Sequence, residues 1–254
     1  TLMGRVTMSY ELDQWAPDPA GIAAQFPWAR GGGETWVHLS DDGGLTYPRS
    51  VRVATEPYSG GYGLRGAIEL PDIILPLSDI PNYRKIFLVR SRDGGESWSA
   101  PASVADEPGH DFEEPGSLLL PSGRVLMLLR DNAQRILHEV HSDDGGRSWS
   151  RPVATGIPDY PAHLLRLADG RLAAVTGCRR PPYGIRIYLS SDEGKSWDLR
   201  HPIVVRDDLP NKDLGYPTAA LRRDGSLYVG YYAQDFDGIT KIHADVIPPS
   251  ELGG

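Results

Sequence analysis

A single cysteine, Cys178, stands among 254 residues, which rules out a disulfide framework or a cysteine-based metal site within them. The seven histidines are scattered and none shows metal-ligand spacing, so no metal and no cofactor is expected. No run of Lys or Arg occurs, and the formal net charge is −8. That balance argues against nucleic acid or an anionic membrane surface as the main partner. The apolar runs are far too short to cross a bilayer as helices. No segment of ten or more residues keeps a 3.6-residue apolar period, which disfavours a helical solenoid. Residue 1 is Thr, and no charged stretch leading into an apolar one precedes it. No compartment is therefore assigned.

What the chain does have is turn-forming residues. It carries 29 Gly and 22 Pro, about a fifth of all positions against a usual ~12%. With 40% hydrophobic residues this is not a disordered composition. It reads as many short elements joined by many turns.

One phrase recurs. "SDDGGLTY" begins at residue 40, "SRDGGESW" at 91, "SDDGGRSW" at 142 and "SSDEGKSW" at 190, spaced by 51, 51 and 48 residues. A period near 50 points to a repeat architecture. Each unit holds two short apolar runs about a Gly-containing turn, then a third run ending in the phrase, as in "GSLLLPSGRVLMLLRD" followed by "RILHEVHSDDGGRSW". Runs of four to seven residues bounded by Gly, Pro and Asp are strands, and Asp-Gly between two of them is a hairpin. "SAPASVA" and "SRPVATG" supply a fourth, edge-like strand carrying Pro. Four antiparallel strands per ~40–50 residues make a propeller blade. The phrase sits where the chain reverses between third and fourth strands. Its Asp can accept turn N–H groups, its Gly permits positive φ, and its aromatic packs between blades. It reads as a fold staple.

The expectation is a single all-β propeller domain with blades near 1–57, 62–107, 112–156, 160–205 and 214–247. The last blade lacks the phrase, and "RVTMSYELD" reads as a second strand with no first strand ahead of it. In a propeller the first strand of each blade lines the channel, where unlike blades meet at one ligand. Glu114 lies eight residues before Ser122, and Tyr216 lies eight before Asp224. They hold equivalent places in the third and fifth blades. Pro161 holds that place in the fourth, and Leu64, next to Arg65, in the second. The bland alternative is a packed Tyr and a solvated Glu.

The four-copy phrase is the Asp box, and the chain resembles the sialidase superfamily of Asp-box propellers over nearly all its length. The resemblance implies six four-stranded blades, so about one N-terminal blade is expected upstream of residue 1. It also implies an exo-glycoside hydrolase acting on an acidic sugar, sialic acid first. "EPGSLLLPSGRVLMLLR" carries Glu114 and Arg130 at the two ends of one hairpin, as the family does, and "GY" puts Tyr216 at the family's nucleophile position. In "GCRRPPYG" the family Arg falls on Arg179 or Arg180, with Arg180 preferred because it adjoins Pro-Pro.

The chemistry suits these types. Guanidinium groups bind the sugar carboxylate bidentately. A neutral Tyr approaches an anionic centre without repulsion, with Glu114 as its base. Arg65 and His163 are further candidate contacts. The family's "R-I-P" Arg and its general-acid Asp have no match here, and the acid is unassigned; Asp79 and Asp13 are substitutes more readily read as structural. The expected partner is an acidic glycan or sialoglycoconjugate. Two alternatives stay open: a carbohydrate-binding propeller without catalysis, and a hydrolase or lyase of uronic-acid glycans.

Overall fold

The computed structural model describes residues 6–12, 33–80 and 82–253. Among them, regular structure is all strand apart from one 3-10 turn, Pro249–Leu252. The first sheet pairs β1 (Val6–Leu12), β2 (Gly33–Leu39) and β3 (Arg49–Val53) in that order. The second contains β4 (Gly60–Tyr62), β5 (Ile68–Glu69), β6 (Ile73–Ile80), β7 (Ile86–Ser91) and β8 (Ala102–Ala105). Next come β9 (Phe112–Leu119), β10 (Val125–Asp131), β11 (Ile136–Ser142) and β12 (Val153–Ala154) as the third. The fourth is β13 (Ala162–Arg166), β14 (Leu172–Cys178), β15 (Tyr183–Ser190) and β16 (Ile203–Leu209). The fifth is β17 (Leu214–Leu221), β18 (Leu227–Gln234) and β19 (Thr240–Ile247). Each is an up-and-down antiparallel sheet, and the fold is a β-propeller.

The chain divides into two compact units, Thr1–Pro115 with Asp143–Trp149, and Gly116–Ser142 with Ser150–Gly254. In the first, Val37, Leu39 and Val53 pack with Leu75, Leu77, Phe87 and Val89, joining the first two sheets. In the second, one apolar layer joins the third and fourth sheets and another joins the fourth and fifth. Middle strands therefore meet apolar neighbours on both faces. β6 and β14 are buried at every residue, which is why neither shows an apolar–polar alternation, and why the polar Ser78 and Asp79 of β6 are buried with their apolar neighbours. The fourth strands β12 and β16 are largely exposed or half-buried.

The second sheet departs from expectation at its first strand. β4 and β5 both pair with β6, at Gly60–Tyr62 and at Ile68–Glu69, and residues 63–67 leave the ladder between them. Arg65 stands in that bend, not on a strand.

The repeated phrase forms the same turn each time. In three copies Ser40, Ser91 and Ser190 donate to Asp42, Asp93 and Asp192 at 2.8 Å, while each Ser oxygen accepts the N–H of Gly44, Gly95 or Gly194. In all four, the Asp takes both the N–H and the hydroxyl of the residue four further on: Thr46, Ser97, Ser148 and Ser196. The Ser97 hydroxyl, then its N–H, hold Asp93 below the ordinary carboxylate range. Both central residues of the turn take positive φ, which glycine accepts freely. Only the fourth copy puts a side chain there, Glu193 at φ 60°. Trp98 packs against the layer joining the first two sheets, and Trp197 is buried in the layer joining the third and fourth. Tyr47, by contrast, stays 41% exposed.

Candidate active site

The site residues are built from strand starts and strand ends. In the first unit, Glu114 lies in β9 and is 3% exposed. Its φ is 55°, and its N–H donates to the Ser78 hydroxyl on β6 at 2.8 Å. Glu113 beside it is also buried. Asp79 is a strand residue of β6 rather than a loop residue, and is 3% exposed. Its Oδ1 accepts the N–H groups of Arg84 and Lys85, both at 2.7 Å. That carboxylate closes the β6–β7 reversal, so the structural reading of Asp79 holds. His110 stacks on Phe112 at 4.9 Å, and Asp111 pairs with Arg84 at 3.4 Å. Asp13 lies outside the described residues.

In the second unit, Tyr216 lies in β17 at φ 49°. The pairing with β18 passes from Gly215↔Tyr232 to Thr218↔Gly230, so Tyr216 and Pro217 contain one residue more than the partner strand. This is a bulge, which re-aims a side chain. The Tyr216 ring lies 5.9 Å from that of Tyr232. The Arg179 guanidinium covers the Tyr216 ring at 5.5 Å, a cation–π distance. Arg179 is held by the Leu214 carbonyl at 3.1 Å and approaches the Tyr232 hydroxyl at 3.4 Å. A Cβ on Gly177 would stand 2.9 Å from the Gly215 Cα, so β14 and β17 approach this closely because residue 177 has no side chain, while Gly215 takes a φ of 127° that glycine accepts freely.

Arg180 points elsewhere. Its Nη2 and Nε donate to Asp159 Oδ1 at 3.0 and 3.3 Å. Burial works against the Arg180 charge, but Asp159 more than offsets it and holds the guanidinium above its ordinary value. The sequence preference for Arg180 over Arg179 is thus not matched by proximity to Tyr216: both lie in the loop between β14 and β15, and Asp159 holds Arg180 while Arg179 lies over the Tyr216 ring. Arg130, at the end of β10, donates through Nε to Asn132 at 2.8 Å and lies 4.7 Å over the Tyr160 ring. His163, on β13, accepts the Ala219 N–H through Nδ1 at 2.9 Å, linking the fourth and fifth sheets. Burial pushes the Cys178 thiol up, which makes it a poor nucleophile.

Sequence reasoning missed Asp159, Tyr160, Tyr188 and Arg186. A usable signal was present in "IPDYP", an Asp-Tyr pair bracketed by prolines in an apolar stretch. A second missed signal is that Glu114 and Tyr216 both directly precede proline, as "EP" and "YP".

Repeated antiparallel sheets closed by Asp-box staples define a sialidase-like Asp-box propeller. The chain belongs to the BNR repeat-like domain family, whose match spans residues 73–229. No curated protein matches the chain. Among solved structures, a Dyadobacter fermentans protein of unknown function is similar at 25% identity and TM-score 0.76, over 96% of this chain and 72% of that one. The leech intramolecular trans-sialidase, complexed with 2,7-anhydro-Neu5Ac, is similar at 17% identity and TM-score 0.63, over 87% of this chain. The Ruminococcus gnavus intramolecular trans-sialidase, complexed with oseltamivir carboxylate, gives 18% identity and TM-score 0.62, also over 87%. The chain spans 37% and 51% of the lengths of those two enzymes.

Proposed function

We propose that the protein is a sialidase-like exo-glycoside hydrolase that releases an acidic sugar, sialic acid first. One observation carries this reading. Among the described residues, the non-glycine positive-φ positions are Tyr83, Glu114, Arg135, Glu193 and Tyr216. Three lie in turns or loops, and two lie within strands: Glu114 and Tyr216. Such conformations cost roughly 1–3 kcal/mol each and collect at working sites. The two strand-borne cases are the two residues whose equal spacing from the hairpin turn put them at matching places, and which the resemblance to sialidases reads as base and nucleophile.

In this reading the Tyr216 oxygen attacks the anomeric carbon and its proton passes to Glu114. The leaving glycoside oxygen takes a proton from an acid outside the assigned residues. Water, deprotonated by the conjugate base of that same acid, then breaks the tyrosyl–sugar bond with net retention, and Glu114 returns its proton to the departing Tyr216 oxygen. The cation over the Tyr216 ring supports negative charge as the phenol loses its proton. Arg130, Arg180 and Arg65 hold the carboxylate, with His163 alongside as a contact. The similar trans-sialidases, bound to sialic acid-like ligands, lend support to an acidic glycan as partner.

The test is hydrolysis of an aryl α-sialoside, set beside aryl uronides. Turnover of the sialoside that falls more than ~10³-fold in Tyr216→Phe is expected. Unchanged turnover in that variant would remove the mechanism. The commitment of Asp79 to its turn favours a second reading, a carbohydrate-binding propeller without turnover. Saturable binding of an acidic glycan with no hydrolysis by the wild-type chain selects it.

A further inference from the structure

The reading above gives no role to residues 157–161, "IPDYP", yet the two central side chains of that segment both end on arginines that it uses. Asp159 is 1% exposed. Its Oδ1 accepts from Arg180 Nη2 and Nε, at 3.0 and 3.3 Å. Its Oδ2 accepts the Tyr188 hydroxyl at 2.6 Å and faces Arg186 Nη1 at 3.7 Å. The ring of the next residue, Tyr160, lies 4.7 Å beneath the Arg130 guanidinium. Prolines 158 and 161 bracket the pair and fix φ on either side. The Tyr160 N–H is tied to the Gly177 carbonyl at 3.1 Å.

We infer that Asp159 and Tyr160 are positioning residues for an anion clamp, Asp159 aiming Arg180 and Tyr160 aiming Arg130 at the carboxylate of an acidic sugar. The inference rests on the proposed reading of the site.

Three features support it. Asp159 engages the Nε–Nη2 side of Arg180 on one oxygen, which leaves the Nη1–Nη2 end of the fork for a ligand carboxylate. That side chain remains 51% exposed, so its free end reaches solvent. One buried carboxylate faces two guanidinium groups, so its charge does not cancel them both. Tyr188 adds a second anchor that stops the carboxylate from rotating. Burial first, then the bond to Asp159, push the Tyr188 phenol well above its ordinary range, so it stays a neutral donor. Tyr160 acts differently, through a ring face that carries the Arg130 guanidinium. Arg180 is thus held at one edge and open to solvent at the other, while Arg130 is seated on an aromatic face.

The experiment measures binding of an α-sialoside and of its methyl ester to the wild type, Asp159→Asn, Tyr160→Leu and Tyr160→Phe. The wild type should prefer the free acid. Asp159→Asn and Tyr160→Leu should each weaken the acid about 10-fold, leave the ester within about 2-fold, and keep kcat near wild type. Tyr160→Phe should retain the preference. Equal losses for acid and ester in Tyr160→Leu would mean a packing role and overturn the inference, as would wild-type selectivity in both variants. Should Asp159→Asn fail to fold, Tyr160→Leu decides alone, since it strands no buried charge. A wild type that binds neither ligand is seen before any variant is made; it would remove the functional reading, and this inference with it.

Discussion

The turns that begin at Ser40, Ser91, Ser142 and Ser190 repeat one hydrogen-bond pattern, whereas the strand starts at Glu114 and Tyr216 share a backbone twist and no side chain. Both depend on positive φ. In the turns glycine usually supplies it at little cost, and the side chains around it satisfy the turn's own N–H groups. In the two strands a Glu and a Tyr adopt it against their preference, and each is followed by a proline that gives the ladder no N–H. The first arrangement can be copied because it asks nothing of its neighbours beyond an apolar slot. The second occurs once in each of two strands and carries a different side chain each time.

That contrast can be broken from either side. Glu114→Gln is expected to lower kcat on an acidic glycoside by about 10²–10⁴-fold with little change in Tm, read by initial rates beside a thermal melt. The Asp box should behave in the opposite way. Trp197→Ala removes a buried aromatic between the third and fourth sheets and should cost about 3–5 kcal/mol in denaturant unfolding, with kcat per folded molecule preserved. Glycines of the boxes grade the effect further. A Cβ at Gly194 would lie 2.6 Å from Leu126 Cδ2 at φ 90°, while one at Gly43, φ 77°, meets nothing within 4 Å. Gly194→Ala should therefore cost about 2–3 kcal/mol and Gly43→Ala about 1 kcal/mol. The smallest effect is in pH. Asp93 has a folded value below that of an unfolded Asp, so its contribution is full above the ordinary carboxylate value near ~4 and fades as pH falls through the lowered one. The Tm gap between wild type and Asp93→Asn should be widest above about pH 5 and close on further acidification; a gap that widens in acid would contradict the turn chemistry.

Much of the scaffold was legible because the Asp box is local: eight residues carry both the hydrogen-bond donors and the acceptor, so one window of sequence contains the whole device. The strand order followed from apolar runs and Gly turns for the same reason. The strand placement of Glu114 and Tyr216 was reachable because counting from a hairpin turn fixes a register position. The interruption of the second sheet's first strand was not, since "GLRGAIE" has strand-like composition and leaves the ladder only through its pairing with β6. Nor were the different surroundings of Arg179 and Arg180. They depend on Asp159, some twenty residues upstream, being folded into the space beside one of them. A buried carboxylate shows in a sequence as an ordinary Asp until the fold places guanidinium groups around it.

Where Gly177 meets Gly215, neighbouring sheets touch main chain to main chain, with no side chain acting as a spacer. The phenol one residue along therefore inherits its position from peptide planes, which cannot relax by changing rotamer as a leucine contact would. A single methyl group added at position 177 would act as a wedge, moving a hydroxyl it never touches.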